Sequence, residues 1–293
     1  MSDIKLTATS RANLLSLNQT TDLANRTQSR LATGLKVSSA VDDATAYFAA
    51  KGLSDRASDF TTRKGDIDQG ISSLKTALNA TESADKILKQ IKGVAISAKT
   101  ADDATKADLT KQFSDLLGQL NSLLGDASYQ GTNLINSTTS SLTVKFSEVT
   151  TAQLTVQGRD LRAGALFTAA ANASDAGSVV GAAVIGAAGF TAYTTATALI
   201  DAVDSITDAV DAAVSTVRAT ASNLGSNITL LQTRSDFSTS YVNALTEGSD
   251  KLTLADLNEE GANLVALQTR QQLALKALSF AGQSEQSVLS LFS

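Results

Sequence analysis

The fold of this chain is decided by residues 257–293, LNEEGANLVALQTRQQLALKALSFAGQSEQSVLSLFS. Apolar and small residues recur there at alternating steps of three and four, which is the spacing of a coiled-coil seam. A helix with such a seam is not stable alone in water, so we expect another helix of the chain to cover it. The predicted seam consists of Leu264, Leu267, Gln271, Ala274, Leu278, Ala281, Glu285, Val288 and Phe292.

A candidate partner lies at the opposite end of the sequence. The same alternating spacing predicts a helix from Arg11 to Lys36. Because both seams are apolar, we expect the first and last helices to pack against each other. The N-terminal seam consists of Leu14, Leu17, Thr21, Ala24, Gln28, Leu31 and Leu35.

Coiled-coil spacing also predicts long helices at residues 60–99 and 199–245 and a shorter one at 106–125. Residues 43–58 are predicted as a short helix or a turn-rich segment. Residues 247–250 are predicted to end the 199–245 helix, and the terminal helix is predicted to begin near Leu254. Folding the chain back on itself would bury every seam, with 199–245 against 60–99 and 106–125.

A strand pattern occurs once, at residues 142–146 and 153–157, where apolar and polar residues alternate. This predicts one β-hairpin near 142–157. Residues 165–198 are rich in Ala, Gly, Thr and Val and contain a single charge, Asp175. We predict a mainly α chain: a long antiparallel coiled-coil rod built from both ends, with a small hairpin and a short mid-chain insert.

Composition excludes several classes of function. The chain of 293 residues has no Cys, His or Pro and a net charge of −5. Without thiols or imidazoles there is no disulfide framework, no Ser-His-Asp triad and no Cys or His metal site. The acidic balance argues against nucleic-acid binding, and no apolar run is long enough to span a membrane. The N-terminus shows no cleavable signal peptide. We expect a protein that is not an enzyme and has no cofactor.

Three residues mark a turn between the first and second helices. Gly34 weakens or ends the first helix, and Ser39–Asp42 resembles a capping arrangement. Asp42 and Asp43 are expected to face the positive end of the following helix dipole. A metal site is the alternative, but two adjacent carboxylates do not form a cage.

Two stretches resemble bacterial flagellin, the subunit of the flagellar filament, and most closely its alphaproteobacterial members. The first contains LNQT at 17–20, RLATGLKV at 30–37 and DDA at 42–44. The second contains LNEE at 257–260, ALQTRQQL at 266–273 and VLSLF at 288–292. The resemblance covers about residues 1–162 and 199–293 and leaves out the insert.

The resemblance implies an inner coiled-coil domain (1–42 and 254–293), a helical rod domain (43–164 and 199–253) and a variable, surface-exposed insert (165–198). It implies a structural subunit that polymerises with itself into an extracellular filament for swimming. It also implies unfolded export by the flagellar type III system, with an export chaperone, a cap and hook-associated proteins as partners. The predicted polymerisation interface comprises Leu14, Leu17, Leu31, Leu35, Leu264, Leu267, Leu278, Val288, Leu291 and Phe292.

Two further expectations rest on the resemblance. Residues 88–97 align with a stretch that a vertebrate innate immune receptor reads, at Leu88, Gln90, Gly93 and Val94 here. Activating members carry an Arg and a Glu where this chain has Gln90 and Gly93, so we expect poor activation. O-linked sugars are plausible on the insert, at Thr191, Thr194 and Thr195.

The alternatives that remain open are a hook–filament junction protein, which shares similar ends, and an enzyme or an adhesin with its site in the insert. Nothing in the insert supports catalysis, since it offers one carboxylate and no base.

Overall fold

The computed structural model describes residues 8–147, 151–171, 189–193 and 195–290. The chain divides into two compact units. Unit 1 combines Met1–Ala57 with Asn243–Ser293, and unit 2 is Ser58–Val242. The division between these compact units falls within two long helices, at residues 57/58 and 242/243.

The described residues form a mainly α fold, as the seams predict. The helices are α1 (Ala8–Thr33), α2 (Ala44–Ser97), α3 (Asp103–Asp126), α4 (Ala163–Ala171), α5 (Ala196–Thr253) and α6 (Leu257–Ser290). The strands are β1 (Ser128–Tyr129), β2 (Thr132–Asn133), β3 (Ser141–Lys145) and β4 (Gln153–Gln157), and a 3-10 turn spans Phe190–Ala192.

Aspartates mark the starts of three helices. The side chain of Asp43 accepts a hydrogen bond from the amide of Ala46 at 3.0 Å, at the start of α2. Before α3, the side chain of Asp102 accepts a hydrogen bond from the amide of Thr105 at 2.8 Å. Before α6, the side chain of Asp256 accepts one from the amide of Asn258 at 2.9 Å. Each carboxylate satisfies an amide that has no partner within its helix and lies at the positive end of the helix dipole.

Two predicted helix breaks are wrong. Helix α2 runs without interruption through residues 58–60, and α5 continues past Gly248 to Thr253. For α5 the reason is packing within unit 1, where the Ser249 hydroxyl donates to the Ala50 carbonyl at 3.2 Å. A Cβ on Gly248 would lie 3.3 Å from Leu53 Cδ1, so the glycine permits close packing that outweighs its low helix propensity.

In unit 2, α5 packs antiparallel against α2, as predicted. Ser235 contacts Asp68 at 3.2 Å and Arg218 contacts Asp85 at 3.0 Å. The core beneath these contacts also takes side chains from α3, including Phe113 and Leu120. Ala, Leu, Ile and Val supply most of this core, which suits close helix packing.

The predicted hairpin is confirmed in unit 2. Strands β3 and β4 pair antiparallel, with Leu142 opposite Val156 and Val144 opposite Leu154. Val144 and Val156 are buried, so one face of the hairpin lies on the core. A smaller hairpin, β1–β2, was not predicted. Its two turn residues, Gln130 and Gly131, both have positive φ, which is typical of a type I′ turn.

The ends of the predicted insert differ from the expectation of a surface-exposed segment. Leu166, Phe167 and Phe190 are buried in the core of unit 2. The ring of Phe190 packs edge-on against Phe113 at 5.7 Å, and its amide donates to the Thr110 hydroxyl at 3.0 Å. The core therefore takes residues from both ends of this segment, while 172–188 lie outside the described residues.

Candidate assembly surface of the terminal helices

The terminal helices α1 and α6 pack antiparallel in unit 1. Arg30 Nη1 donates to Glu260 Oε1 at 2.9 Å, and Gln271 Nε2 donates to the Thr21 hydroxyl at 3.3 Å. The sequence predicted this pairing and placed Gln271 on the seam. It did not identify the ion pair, in which Glu260 is only 8% exposed. A buried carboxylate of this kind requires its cation.

Main-chain hydrogen bonds join the two turns at one end of this pair. The amide of Lys36 donates to the Thr253 carbonyl at 2.7 Å, and the amide of Ala255 donates to the Gly34 carbonyl at 2.9 Å. Gly34 has φ +72°, which a residue with a side chain adopts only with strain. The glycine therefore ends α1 and turns the chain toward α2.

Asp42 organises the rest of that turn. Its Oδ2 accepts hydrogen bonds from the amides and hydroxyls of Ser38 and Ser39, at 3.0–3.1 Å. The hydroxyl and then the amide of Ser38, followed by the Ser39 hydroxyl, hold the pKa of Asp42 below its ordinary value of 3.8. Asp42 thus shapes the turn, while Asp43 caps α2.

The helix pair buries little of its apolar surface. Among the α1 and α6 side chains that the structure describes, Ala24, Thr27 and Glu260 alone are buried. By contrast, Phe280 is 71% exposed, Val265 63% and Leu273 62%. Large apolar side chains grouped on an exposed helix mark a surface that binds another protein.

These exposed residues lie on two separate flanks of α6. Leu273 and Phe280 are seven residues apart and share one flank, to which Ala266 also belongs. Val265 and Leu275 lie on another flank, away from the seam that faces α1. One helix with apolar flanks on both sides of its intrachain seam can contact more than one neighbour.

The predicted interface residues fall into three groups. Six are half-buried, whereas Leu14 is 41% exposed and lies off the observed seam. Gln28, which was predicted on the same seam, is also exposed. Val288 lies within α6, and Leu291 and Phe292 are outside the described residues. The half-buried residues are Leu17, Leu31, Leu35, Leu264, Leu267 and Leu278.

Sequence reasoning missed the exposed Leu15, Leu23, Val265 and Phe280. The sequence contained a signal for this exposure. Each of these is a large apolar residue that lies outside the predicted seam of its helix, where the partner helix cannot cover it.

A cleft of about 550 Å³ opens beside Arg30 and Glu260. Arg26, Lys36 and Arg270 line it together with Asp256 and Glu259, so its charges are mixed. No group of three or more metal-ligating side chains occurs in the part of the chain that the structure describes.

The predicted receptor stretch lies on α2 in unit 2. Gln90 and Gly93 are exposed, and Val94 is half-buried against the core. Leu88 is fully buried in that core, so its side chain is not available to a receptor. Of the predicted glycan positions, Thr191 and Thr195 are exposed and Thr194 lies outside the described residues.

Comparison with known families identifies both ends of the chain. Residues 4–140 match the bacterial flagellin N-terminal helical region, and residues 207–292 match the bacterial flagellin C-terminal helical region. The chain belongs to the flagellin family. Membership supports a flagellar filament subunit that associates with itself, and it does not favour the hook–filament junction alternative.

Relatives match this flagellin-family chain over nearly its whole length. A flagellin of Brucella melitensis is 28% identical over 100% of this chain and 99% of its own. Flagellin FljM of Caulobacter vibrioides is 29% identical over 95% of this chain and 94% of its own. The predicted likeness to alphaproteobacterial members is confirmed.

Among solved structures, Bacillus cereus flagellin matches at 17% identity and a TM-score of 0.44, over 59% of this chain and 88% of that one. Within the described ranges, no helix combines the length and apolar character needed to cross a bilayer.

Proposed function

We propose that this chain polymerises with itself through the exposed flanks of α1 and α6, and that the resulting filament serves swimming motility. The observation that supports this proposal is the large apolar area left open on α6 around Leu273 and Phe280. Burying each such side chain contributes about 1.5–3 kcal/mol, which favours association.

The proposed contact is heterologous, because the flanks carrying Leu273 and Val265 differ from each other. When one copy presents one flank and its neighbour presents another, the contact repeats without closing on itself. Repeated heterologous contacts that do not close generate a helical filament. The intrachain seam through Leu264 and Leu267 stays occupied by α1 in each copy.

The test is a paired substitution, Leu273→Gln with Phe280→Gln. Losing two buried apolar side chains per copy removes about 3–6 kcal/mol of association free energy. The concentration needed for polymerisation should therefore rise at least about 100-fold. A matched control, Thr269→Gln with Lys276→Gln, changes two exposed residues at the same spacing on the same helix.

Sedimentation measures the polymerised fraction, electron microscopy shows filaments, and circular dichroism checks that both variants remain helical. Filaments that form at the unmodified concentration in the Leu273/Phe280 variant would sink the proposal. Removing residues 257–293 should likewise abolish filaments and leave a soluble protein.

We further propose unfolded export by the flagellar type III system, with a chaperone bound at the C-terminus and a cap and hook-associated proteins at the filament ends. Family membership supports this, and a chain without Cys or Pro suits passage through a narrow channel. Immunoblots of culture medium should lose the protein in cells that lack the flagellar export gate. Continued secretion by those cells would exclude this route.

Poor activation of the innate receptor remains our proposal for residues 88–97. Gln90 and Gly93 are exposed but supply no charged contact. Gln90→Arg with Gly93→Glu should raise signalling in a receptor reporter-cell assay, and strong signalling by the unmodified protein would refute the idea. Intact-mass measurement on native filaments tests O-linked sugars on the insert.

A further inference from the structure

The seam between α2 and α5 repeats every seven residues on both helices. A slip of one helix by seven residues would therefore return buried positions to buried positions. The apolar pattern alone does not specify which of these registers forms. One buried heptad series on α2 is Ile67, Leu74, Thr81, Leu88 and Ala95, and one on α5 is Val203, Val210, Val217, Leu224 and Leu231.

Three ion pairs flank this seam at the same spacing. Arg218 Nε contacts Asp85 Oδ1 at 3.0 Å, and Lys92 Nζ contacts Asp211 at 2.6 Å. Lys99, in the turn after α2, contacts Asp204. Successive partners are seven residues apart on each helix, so all three pairs belong to one register. We call these three pairs the charge ladder.

The order of signs in the charge ladder is not symmetric. Along α2 the charges run acidic, basic, basic, and along α5 their partners run basic, acidic, acidic. A slip of seven residues in one direction places Asp85 opposite Asp211. A slip in the other direction places Lys92 opposite Arg218. Each slip leaves one attractive pair and creates one repulsive pair.

We propose that the charge ladder selects the observed register of α2 and α5 from heptad-related alternatives while the chain folds. Each exposed ion pair contributes little to stability. Selection, however, depends on the difference in electrostatic free energy between registers. The observed register has three attractive pairs, whereas a slipped register has one attractive and one repulsive pair, and this difference exceeds the contribution of any single pair. The β3–β4 hairpin, packed near Gly70 and Leu231, then fixes the selected register.

A single substitution should reverse the preference. In Asp85→Lys, the observed register gains a repulsion with Arg218, while the slipped register pairs the introduced lysine with Asp211. The contact of Asp85 with Lys89 lies within α2, so it is lost equally in both registers. Two pairs change, and each swings between an attraction and a repulsion of about half a kcal/mol, so each contributes about 1 kcal/mol. The slipped register should therefore gain about 30-fold.

Engineered cysteines report the register, because the chain has none of its own. Ser235→Cys with Asp68→Cys reports the observed register, since these side chains are 3.2 Å apart. Ser235→Cys with Thr61→Cys reports the slipped register, because position 61 lies seven residues earlier on the same face. A short thiol-reactive cross-linker is added at successive times after dilution from urea into low salt.

In Asp85→Lys, cross-linking between positions 61 and 235 during refolding should rise about 30-fold relative to the unmodified ladder. Adding Arg218→Asp restores three attractive pairs in the observed register against two in the slipped register, so the rise should fall from about 30-fold to about 5-fold. Salt at about 1 M screens all of these pairs and should remove the rise. Asp115→Lys makes the same charge change on α3 and should have no effect. The proposal is overturned if Asp85→Lys produces no slipped product, or if Asp115→Lys produces as much.

Discussion

Gly70 on α2 provides a sharp test of how the hairpin docks. A Cβ at this position would lie 2.6 Å from Val144 Cγ2 and 3.4 Å from Leu231 Cδ1. Carbon atoms in favourable contact are about 3.5–4.0 Å apart, so Gly70→Ala must displace the hairpin by roughly 1 Å. Val144 is buried on a strand and β-branched, so its side chain cannot simply rotate away.

The expected magnitude combines two opposing effects. Overpacking costs about 1–3 kcal/mol, and replacing a helical glycine by alanine contributes about 1 kcal/mol of stability. Gly70→Ala should therefore lower the free energy of unfolding by about 1 kcal/mol. Gly65→Ala, on the same helix with nothing within 4 Å of its Cβ, should raise it by about the same amount.

Urea unfolding of the monomeric protein, followed by circular dichroism, measures the difference. A separation of about 2 kcal/mol corresponds to roughly 0.5–1 M between the two midpoints. Val144→Ala should cost less in the Gly70→Ala background than alone, because removing the Val144 methyl groups relieves the clash that Gly70→Ala creates. Equal stabilisation by the two glycine substitutions would refute the argument that the missing side chain at Gly70 makes room on α2 for Val144 of the hairpin.

Three other predictions concern single contacts. Arg30→Met should lower the free energy of unfolding of unit 1 by about 2–3 kcal/mol, because it leaves the buried Glu260 unpaired, and Glu260→Gln in the same chain should restore part of it in urea titrations. Asp43→Ala should cost about 1 kcal/mol by removing the cap of α2, while Asp43→Asn should cost less in the same assay. The hydrogen bond from Arg162 outweighs the opposing effect of burial and holds the pKa of Asp160 below its ordinary value of 3.8. The stability that this carboxylate contributes is therefore present above about pH 3.8 and is lost as pH falls through the lowered pKa; urea midpoints against pH should show this loss, and Arg162→Met should weaken it.

Local pattern was sufficient for much of this fold. Seam spacing predicted which segments are helical and that the two ends pair, and strict alternation predicted the β3–β4 hairpin, whose register the structure supplies. These features follow from periodicity, because an apolar stripe at helical or strand spacing has to be covered by another element. The motifs at 17–44 and 257–292 predicted the family, which the comparisons confirm.

Helix ends were predicted less well, because they depend on distant contacts. Gly248 and the residues after it look like a break in sequence, yet close packing against Leu53 and Ala50 keeps α5 helical to Thr253. Leu166 and Phe190 lie in a segment whose composition suggests a surface insert, but their side chains complete the core of unit 2.

The sequence by itself determined that this chain is a set of seamed helices with a single alternating hairpin, since periodicity is a local property. Only the tertiary structure decided which apolar residues remain uncovered. Leu14 and Leu17 both lie on the seam predicted for α1, but the structure half-buries Leu17 and leaves Leu14 41% exposed. That distinction depends on which face of α1 turns toward α6, and the side chains left uncovered in this way form the surface through which we propose the chain assembles.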